Sequence, residues 1–268
     1  MKVISARLIK QLRIQTGAGI VDCKNALIET KGDIDKSIDF LRKLGRVKAL
    51  NKQSCITSHG SIFISGNKKR FAMLELNCET DFVSKEHNFI SFGKDIVNNA
   101  IIIEKNDYIS LKKLFEEKRI DLISKVNENI VIRRIAVLNG NNVNSYLHHN
   151  RIGVLLKTTS CNDMTLVKNI AMHIAASKPE YLRPDLIPSD IIEREYNIQL
   201  ELASRSKKSE FIIEKIAKGR MTKFANERSL LGQAFILNPH KTVGDIIIEN
   251  NIDIVSFIRF EIGEFISN

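Results

Sequence analysis

Tryptophan is absent from the 268 residues, aromatic side chains make up only 6%, and proline and cysteine number four each. With so few rings, a core must be filled mainly by Ile, Leu, Val and Ala. Cys23, Cys55, Cys78 and Cys161 form no CxxC pair. The six His, at 59, 87, 148, 149, 173 and 240, are not spaced to complete a zinc site. Lone, widely spread cysteines fit a reducing compartment better than a disulfide scaffold. No apolar run approaches the roughly 18 residues that a membrane span needs. Arg7, Lys10 and Arg13 break up the first segment, which argues against a signal peptide. A cytoplasmic location without a membrane partner is therefore expected. HExxH, GxSxG, a GxGxxG following a strand and a paired-acid motif are also missing. Those gaps point away from an enzyme, and neither a cofactor nor a bound metal is expected.

What is present is an ordinary globular composition, 43% apolar and 27% charged, long enough for two or three compact units. The formal charge is +10. Such a balance speeds encounter with acidic partners. Nucleic acid, an anionic membrane or an acidic protein would serve, and so would a well-solvated lysine-rich surface with no partner at all. No Arg–aromatic stacking pattern accompanies the charge.

Residues 3–15 space Ile4, Leu8 and Leu12 helically, with Arg and Lys between them. Thr16-Gly17-Ala18-Gly19 then breaks the helix; a tight turn explains it better than a phosphate cradle, since no strand precedes it. A second helix is expected over about Val21–Glu29. Asp33 can cap a third, whose buried stripe is Ile34, Ile38, Leu41 and Leu44. Three short helices in this space predict a compact bundle. The basic segment Arg46–Lys52 reads as a linker, giving a first domain over 1–55.

Beyond residue 56 the pattern mixes strands and helices. Ser61–Ser65 and Phe71–Asn77 predict a hairpin, followed by helices near Phe89–Ile103 and 110–125 and a strand at Ile130–Leu138. The same order returns: a hairpin at Val143–His149 and Arg151–Thr158, helices at Met164–Ala176 and Thr242–Asn250, and a strand at Ile254–Ile262. RFAMLEL at 70–76 echoes RIGVLLK at 151–157. The expected fold class is α+β: a helical bundle, then a duplicated core of small antiparallel sheets with helices, divided at 56–140 and 141–268. An antiparallel helical hairpin is inserted at about 181–229, with Ser189–Ser204 as its first arm. It reads equally as a plain surface hairpin or as a contact arm. His173, inside an apolar helix, reads as a packed, hydrogen-bonded side chain, and His148-His149 as exposed at a hairpin end.

Glu79-Thr80-Asp81-Phe82-Val83 follows a buried strand and precedes a helix. Two acids and a hydroxyl surround one ring. By residue type alone, Phe82 is better explained as a plug folded back into the core. The other reading is an aromatic anchor offered to a partner.

Several long words bear on that choice. TGAGIVDCKNAL at 16–27, NCETDFVSK at 77–85, VIRRIAVL at 131–138, IAMHIAASKPEYL at 170–182, GRMTKF at 219–224, KTVGD at 241–245 and FIRFEIGE at 257–264 occur in this order. In words and order the chain resembles the elongation factor Ts family over almost its whole length. The resemblance implies a ubiquitin-associated-type bundle at the N-terminus and guanine-nucleotide exchange on elongation factor Tu, bound both with GDP and without nucleotide. It implies that Thr80, Asp81, Phe82 and Val83 enter the GTPase near its magnesium and phosphate site, with Phe82 as the wedge. Lys24 matches a family position facing the GTPase domain. His148, Ile236 and Leu237 match positions facing the partner's third domain, although ordinary packing explains the last two nearly as well. The hairpin mediates self-association in some members. Members often continue past the final strand into a further helix, whereas this sequence ends at Asn268, so contacts from that helix are expected to be missing or replaced. No direct nucleic-acid partner is implied. The competing reading is a basic RNA- or ribosome-binding protein, against which the acidity of Glu79 and Asp81 weighs; a peptide-binding scaffold built on the first bundle is a third.

Overall fold

A computed structural model describes residues 4–103, 108–159, 163–205 and 209–264. The architecture is mixed α+β, with N-terminal helices followed by antiparallel sheets. The chain groups into two compact units. One comprises Met1–Asn67, Ala72–Val137 and Phe260–Asn268; the other comprises Lys68–Phe71 and Leu138–Arg259.

The first unit opens with α1 (Ala6–Thr16), α2 (Ile20–Glu29) and α3 (Ile34–Lys52). Ser5 caps α1 by accepting the Leu8 N–H. Gly17 ends it at φ +69, a left-handed conformation that costs glycine little. The Asp33 carboxylate accepts the Lys36 N–H and starts α3 as expected. Leu12, Cys23, Ala26, Leu27 and Leu41 close a small core of their own.

The basic segment 46–52 is not a linker; α3 runs unbroken through it. Its sequence looks like a tether because three of its seven residues are basic. The helix persists because its far end is packed. Ala49 is buried in the main core of this unit, Lys48 Nζ lies 2.6 Å from the Asp22 carboxylate, and Lys52 Nζ lies 3.5 Å from Glu79.

After α3 come β1 (His59–Gly66) and β2 (Arg70–Cys78), then the one-turn helix α4 (Asp81–Ser84), α5 (His87–Ile102), α6 (Tyr108–Val126) and β3 (Val131–Asn139). The three strands form one sheet in the order β1-β2-β3. Phe89, Phe92, Ile96 and Val97 of α5 and Leu111, Phe115 and Leu122 of α6 bury against Leu74 and Leu76 of β2. Leu114 of α6 is exposed, whereas Ile123 is buried. Gly93 lets the Phe63 ring lie directly against α5, where any Cβ would clash with it.

Glu75 of β2 is buried, unusual for a carboxylate. Arg133 Nη1 and Arg134 Nε donate to it at 2.7 and 2.6 Å, and the Gly263 N–H at 3.3 Å. The same two guanidinium groups donate to the carbonyls of Glu264 and Glu261. Arg134 also stacks on Phe260, 4.1 Å from the ring centroid. The clasp ties the end of the described chain to β2 and β3.

In the second unit, β4 (Val143–His148) and β5 (Ile152–Thr158) pair antiparallel from Val143 opposite Lys157 to His148 opposite Ile152. With β8 (Ile254–Glu261) they form a sheet in the order β4-β5-β8. Against it pack α7 (Met164–Ser177) and α10 (Val243–Glu249) through Val167, Ile170, Ile174, Val243, Ile246 and Ile247. Thr242 and Asp245 cap α10 reciprocally. Between α7 and α10 lie α8 (Ser189–Ser204), α9 (Glu210–Arg228) and a short two-stranded sheet, β6 (Ala234–Phe235) with β7 (Asn238–Thr242), which the residue pattern did not suggest.

The expected helical hairpin is formed by α8 and α9. Ala203 and Ala217 are its buried residues, whereas Ile198, Leu202, Phe211 and Ile212 are at least 42% exposed. The tip, 206–208, and Cys161 lie outside the described residues.

Candidate functional site

The segment after β2 is a helical turn, not a loop. Thr80 is extended, at φ −125 and ψ 160, and its hydroxyl accepts the Val83 N–H, so it is the N-cap of α4. Ser84 Oγ donates to the Asp81 carbonyl at 2.7 Å, and the Glu86 carboxylate caps α5 by accepting the Asn88 and Phe89 N–H groups. Successive residues on a helix point about 100° apart. That offset separates Val83 from Phe82: Val83 packs on the core of its unit while Phe82 is 82% exposed. The ring is not a core plug. Residue type favours burial, but the core beneath is already closed by Phe89 and Phe92 of α5.

Asp81 is partly exposed and forms an ion pair with Lys85 one turn on, at 2.7 Å. That hydrogen bond, rather than burial, holds its carboxyl below the usual carboxylate range. Glu79 behaves differently. Its carboxylate turns inward to accept the Asn129 N–H at 2.7 Å and lies 3.5 Å from Lys52 Nζ. It contributes little free negative charge to the tip, which weakens the contrast with a phosphate-binding loop that the sequence offered.

The strongest support comes from a residue the sequence reading did not single out. Glu128 sits just after α6, where Asn127 takes φ +57 and turns the chain back. Its Oε2 accepts the Glu79 and Thr80 N–H groups at 3.1 and 3.0 Å, and its Oε1 accepts the Thr80 hydroxyl at 2.6 Å. Hydrogen bonds to a charged acceptor contribute about 1.5–3 kcal/mol each. Cys78 donates to the Thr80 carbonyl, and burial, with the nearby Glu128 charge next, pushes its thiol up to about 12. It is therefore a packed thiol and not a nucleophile.

In the second unit, His148, Ile236 and Leu237 line one apolar cleft with Tyr146, Ile152 and Met172. His148 is exposed, and its Nδ1 lies 3.1 Å from the Tyr146 hydroxyl. Ile236 and Leu237 form the turn between β6 and β7, at 49% and 58% exposure. Buried His173 stands beneath them. Its Nδ1 accepts the Ile236 N–H at 3.3 Å, and its Nε2 lies 3.0 Å from Gln233 Oε1. Desolvation pushes its pKa down, so it is neutral and can act as that acceptor. The packed, hydrogen-bonded role expected for His173 is thus observed. Lys24 is exposed on α2, in the unit that carries α4.

Among the described residues no His, Cys, Asp and Glu cluster could hold a metal ion. Likewise, among them, no helix is long and apolar enough to cross a membrane.

The family profile described as Elongation factor TS matches residues 79–264. An elongation factor Ts of Buchnera aphidicola subsp. Baizongia pistaciae is 56% identical over 264 residues, covering 98% of this chain and 99% of that protein. One from Buchnera aphidicola subsp. Acyrthosiphon pisum (strain 5A) is 53% identical, with 98% of each chain covered. One from Yersinia pestis (strain Pestoides F) is 50% identical over 266 residues, covering 98% of this chain and 93% of that protein.

Proposed function

The chain belongs to the elongation factor Ts family, and from that premise we propose that the capped turn Thr80–Val83 is the part that drives exchange. The protein is a guanine-nucleotide exchange factor for elongation factor Tu in translation elongation, and not a catalyst of bond chemistry. In this reading Phe82 enters the GTPase near its magnesium and phosphate site, with Asp81 beside it, and the elements that hold magnesium shift. One observation carries the proposal: a phenyl ring is held 82% exposed on a turn whose next residue is anchored in the core. A rigidly based, exposed aromatic is the usual form of an interface hot spot.

The physics is coupling. Factor and nucleotide each weaken the other's binding by the same ratio. A nucleotide held at nanomolar Kd is bound by about 12 kcal/mol. A ten-thousand-fold weakening needs about 5.5 kcal/mol of differential binding. Moving a divalent ion off its phosphates is of that order, because the ion is among the largest local charges. The factor needs no nucleophile or general base for this.

The cleft around His148, Ile236 and Leu237 is read as a second contact for the same partner, and Lys24 as a contact to its GTPase domain. The bundle over 1–55 is read as ubiquitin-associated-like, with core subdomains over 56–140 and 141–268 that arose by duplication. Matching strand order in the two sheets supports the duplication. The hairpin inserted at about 181–229, with Phe211 exposed, suits self-association. The place of action is the cytoplasm.

Purified elongation factor Tu loaded with fluorescent GDP tests the proposal. Adding this chain with excess unlabelled GDP should speed loss of fluorescence in proportion to its concentration until saturation. An unchanged release rate at micromolar factor would refute exchange activity.

A further inference from the structure

We propose that Glu128 is a positioning residue for nucleotide exchange: it locks the Thr80 cap and thereby sets the direction in which Phe82 points. The inference rests on the exchange reading above and assigns roles within it. Glu128 takes three donors from two consecutive residues, the Glu79 N–H, the Thr80 N–H and the Thr80 hydroxyl. Its partners are backbone and hydroxyl groups, so it recognises one conformation of the turn and not merely an opposite charge. Glu79 returns the bond, accepting the Asn129 N–H at 2.7 Å, and the Asn129 side chain donates to the Cys55 carbonyl at 3.0 Å. The two segments lie about 50 positions apart in sequence and brace each other through exchanged carboxylate–amide bonds.

This arrangement divides the labour within the turn. The Thr80 hydroxyl donates its proton to Glu128 and accepts the Val83 N–H. Both of its functions are thus used inside the protein, and it has no proton left to offer a partner. Val83 is packed on the core. Asp81 and Phe82 remain as the outward pair, and their orientation follows from the peptide planes that Glu128 holds. Without that carboxylate, two amides and a hydroxyl at the start of α4 lose their acceptor. The turn can then open, and the ring would no longer arrive in one orientation. Loss of preorganisation lowers the rate of the step the ring drives, while contacts elsewhere still bring the partners together.

The experiment compares the native full-length chain with Glu128→Ala, Glu128→Gln and Thr80→Val. Amide hydrogen exchange across 79–83 is followed in the free protein. GDP release from elongation factor Tu is followed as maximal rate and half-saturating concentration. Glu128→Ala should speed amide exchange at 79–80 while β2 and α5 stay protected. It should also lower the maximal release rate by at least about tenfold with little change in half-saturation, the loss expected when hydrogen bonds to a charged acceptor go. Glu128→Gln keeps one oxygen for the two N–H groups and can donate to Thr80 Oγ, so it should restore most of the rate. Thr80→Val removes the bond donated to Glu128 and the one accepted from the Val83 N–H, but leaves both amides held by Glu128, and should fall between. If Glu128→Ala does not fold, the Gln and Val variants decide alone: both equal to native in amide exchange and in rate would overturn the proposal. Unchanged protection at 79–80, a loosened turn with native release, or a Gln variant as slow as the Ala variant would each overturn it too. Should the native chain release no GDP, the exchange reading fails, whereas the amide arm still reports whether Glu128 holds the turn.

Discussion

Replacing Phe82 with alanine separates stability from function more cleanly than any other change in this protein. The ring is 82% exposed, so less than about a fifth of an area of about 200 Å² is buried in the folded state. At about 25 cal/mol per Å², that burial contributes less than about 1 kcal/mol. Alanine favours the helical turn by a few tenths of a kcal/mol, which offsets part of the loss. Net stability should change by less than about 1 kcal/mol, or roughly 2–4 °C in Tm for a chain of this size. The functional cost comes from a different term. Truncating an aromatic hot spot costs about 2 kcal/mol or more, because the partner's pocket is left unfilled. If that energy is realised only as the nucleotide leaves, release slows by about 30-fold at saturating factor. Thermal unfolding and stopped-flow release of fluorescent GDP measure the two quantities on one preparation. Native-like release with the variant would remove Phe82 from the mechanism. A Tm lower by more than about 8 °C would show instead that the ring supports the fold, contrary to its exposure.

Three further outcomes test the rest of the structure. Glu75→Leu should destabilise by about 3 kcal/mol in urea unfolding, because Arg133 and Arg134 lose their shared buried acceptor; a loss under about 1 kcal/mol would mean that the clasp is dispensable. His173 has a folded pKa below its unfolded value, so the unfolded chain binds more protons as pH falls below about 6.5. Stability should therefore be full above that pH and decline below it, toward the folded pKa, and urea midpoints at pH 7.5 and 5.5 should converge in His173→Asn; an equal decline in that variant would assign the effect elsewhere. With iodoacetamide at pH 8, native mass spectrometry should find partly exposed Cys55 modified well before Cys78, whose buried thiol titrates near 12. Rapid modification of Cys78 would show that the turn opens freely.

Much of the fold was written in local chemistry. The first hairpin arm, expected over about Ser189–Ser204, is a helix over those residues, and the Asp33 cap and the inward stripe of α7 follow from short-range rules. The words around 77–85 located the candidate site without any coordinates. Failures came where a distant neighbour overrode local composition. Residues 46–52 are basic and look like a tether, yet remain helical because Ala49 meets a core built from residues 63–135. In the hairpin, burial falls on Ala203 and Ala217 while the larger Ile198, Leu202, Phe211 and Ile212 stay exposed, which residue type does not foretell.

By itself the sequence determined which residues stand in the turn, which helices and strands flank it, and to which family the chain belongs. These depend on periodicity, capping and residue order, which act over a few positions. Only the tertiary structure decided that Phe82 faces solvent, that Glu79 turns inward and that Glu128 holds Thr80. The Glu128 carboxylate bonds to groups 48 and 49 positions away, and no local preference encodes which distant amide the chain will bring within hydrogen-bonding distance of it.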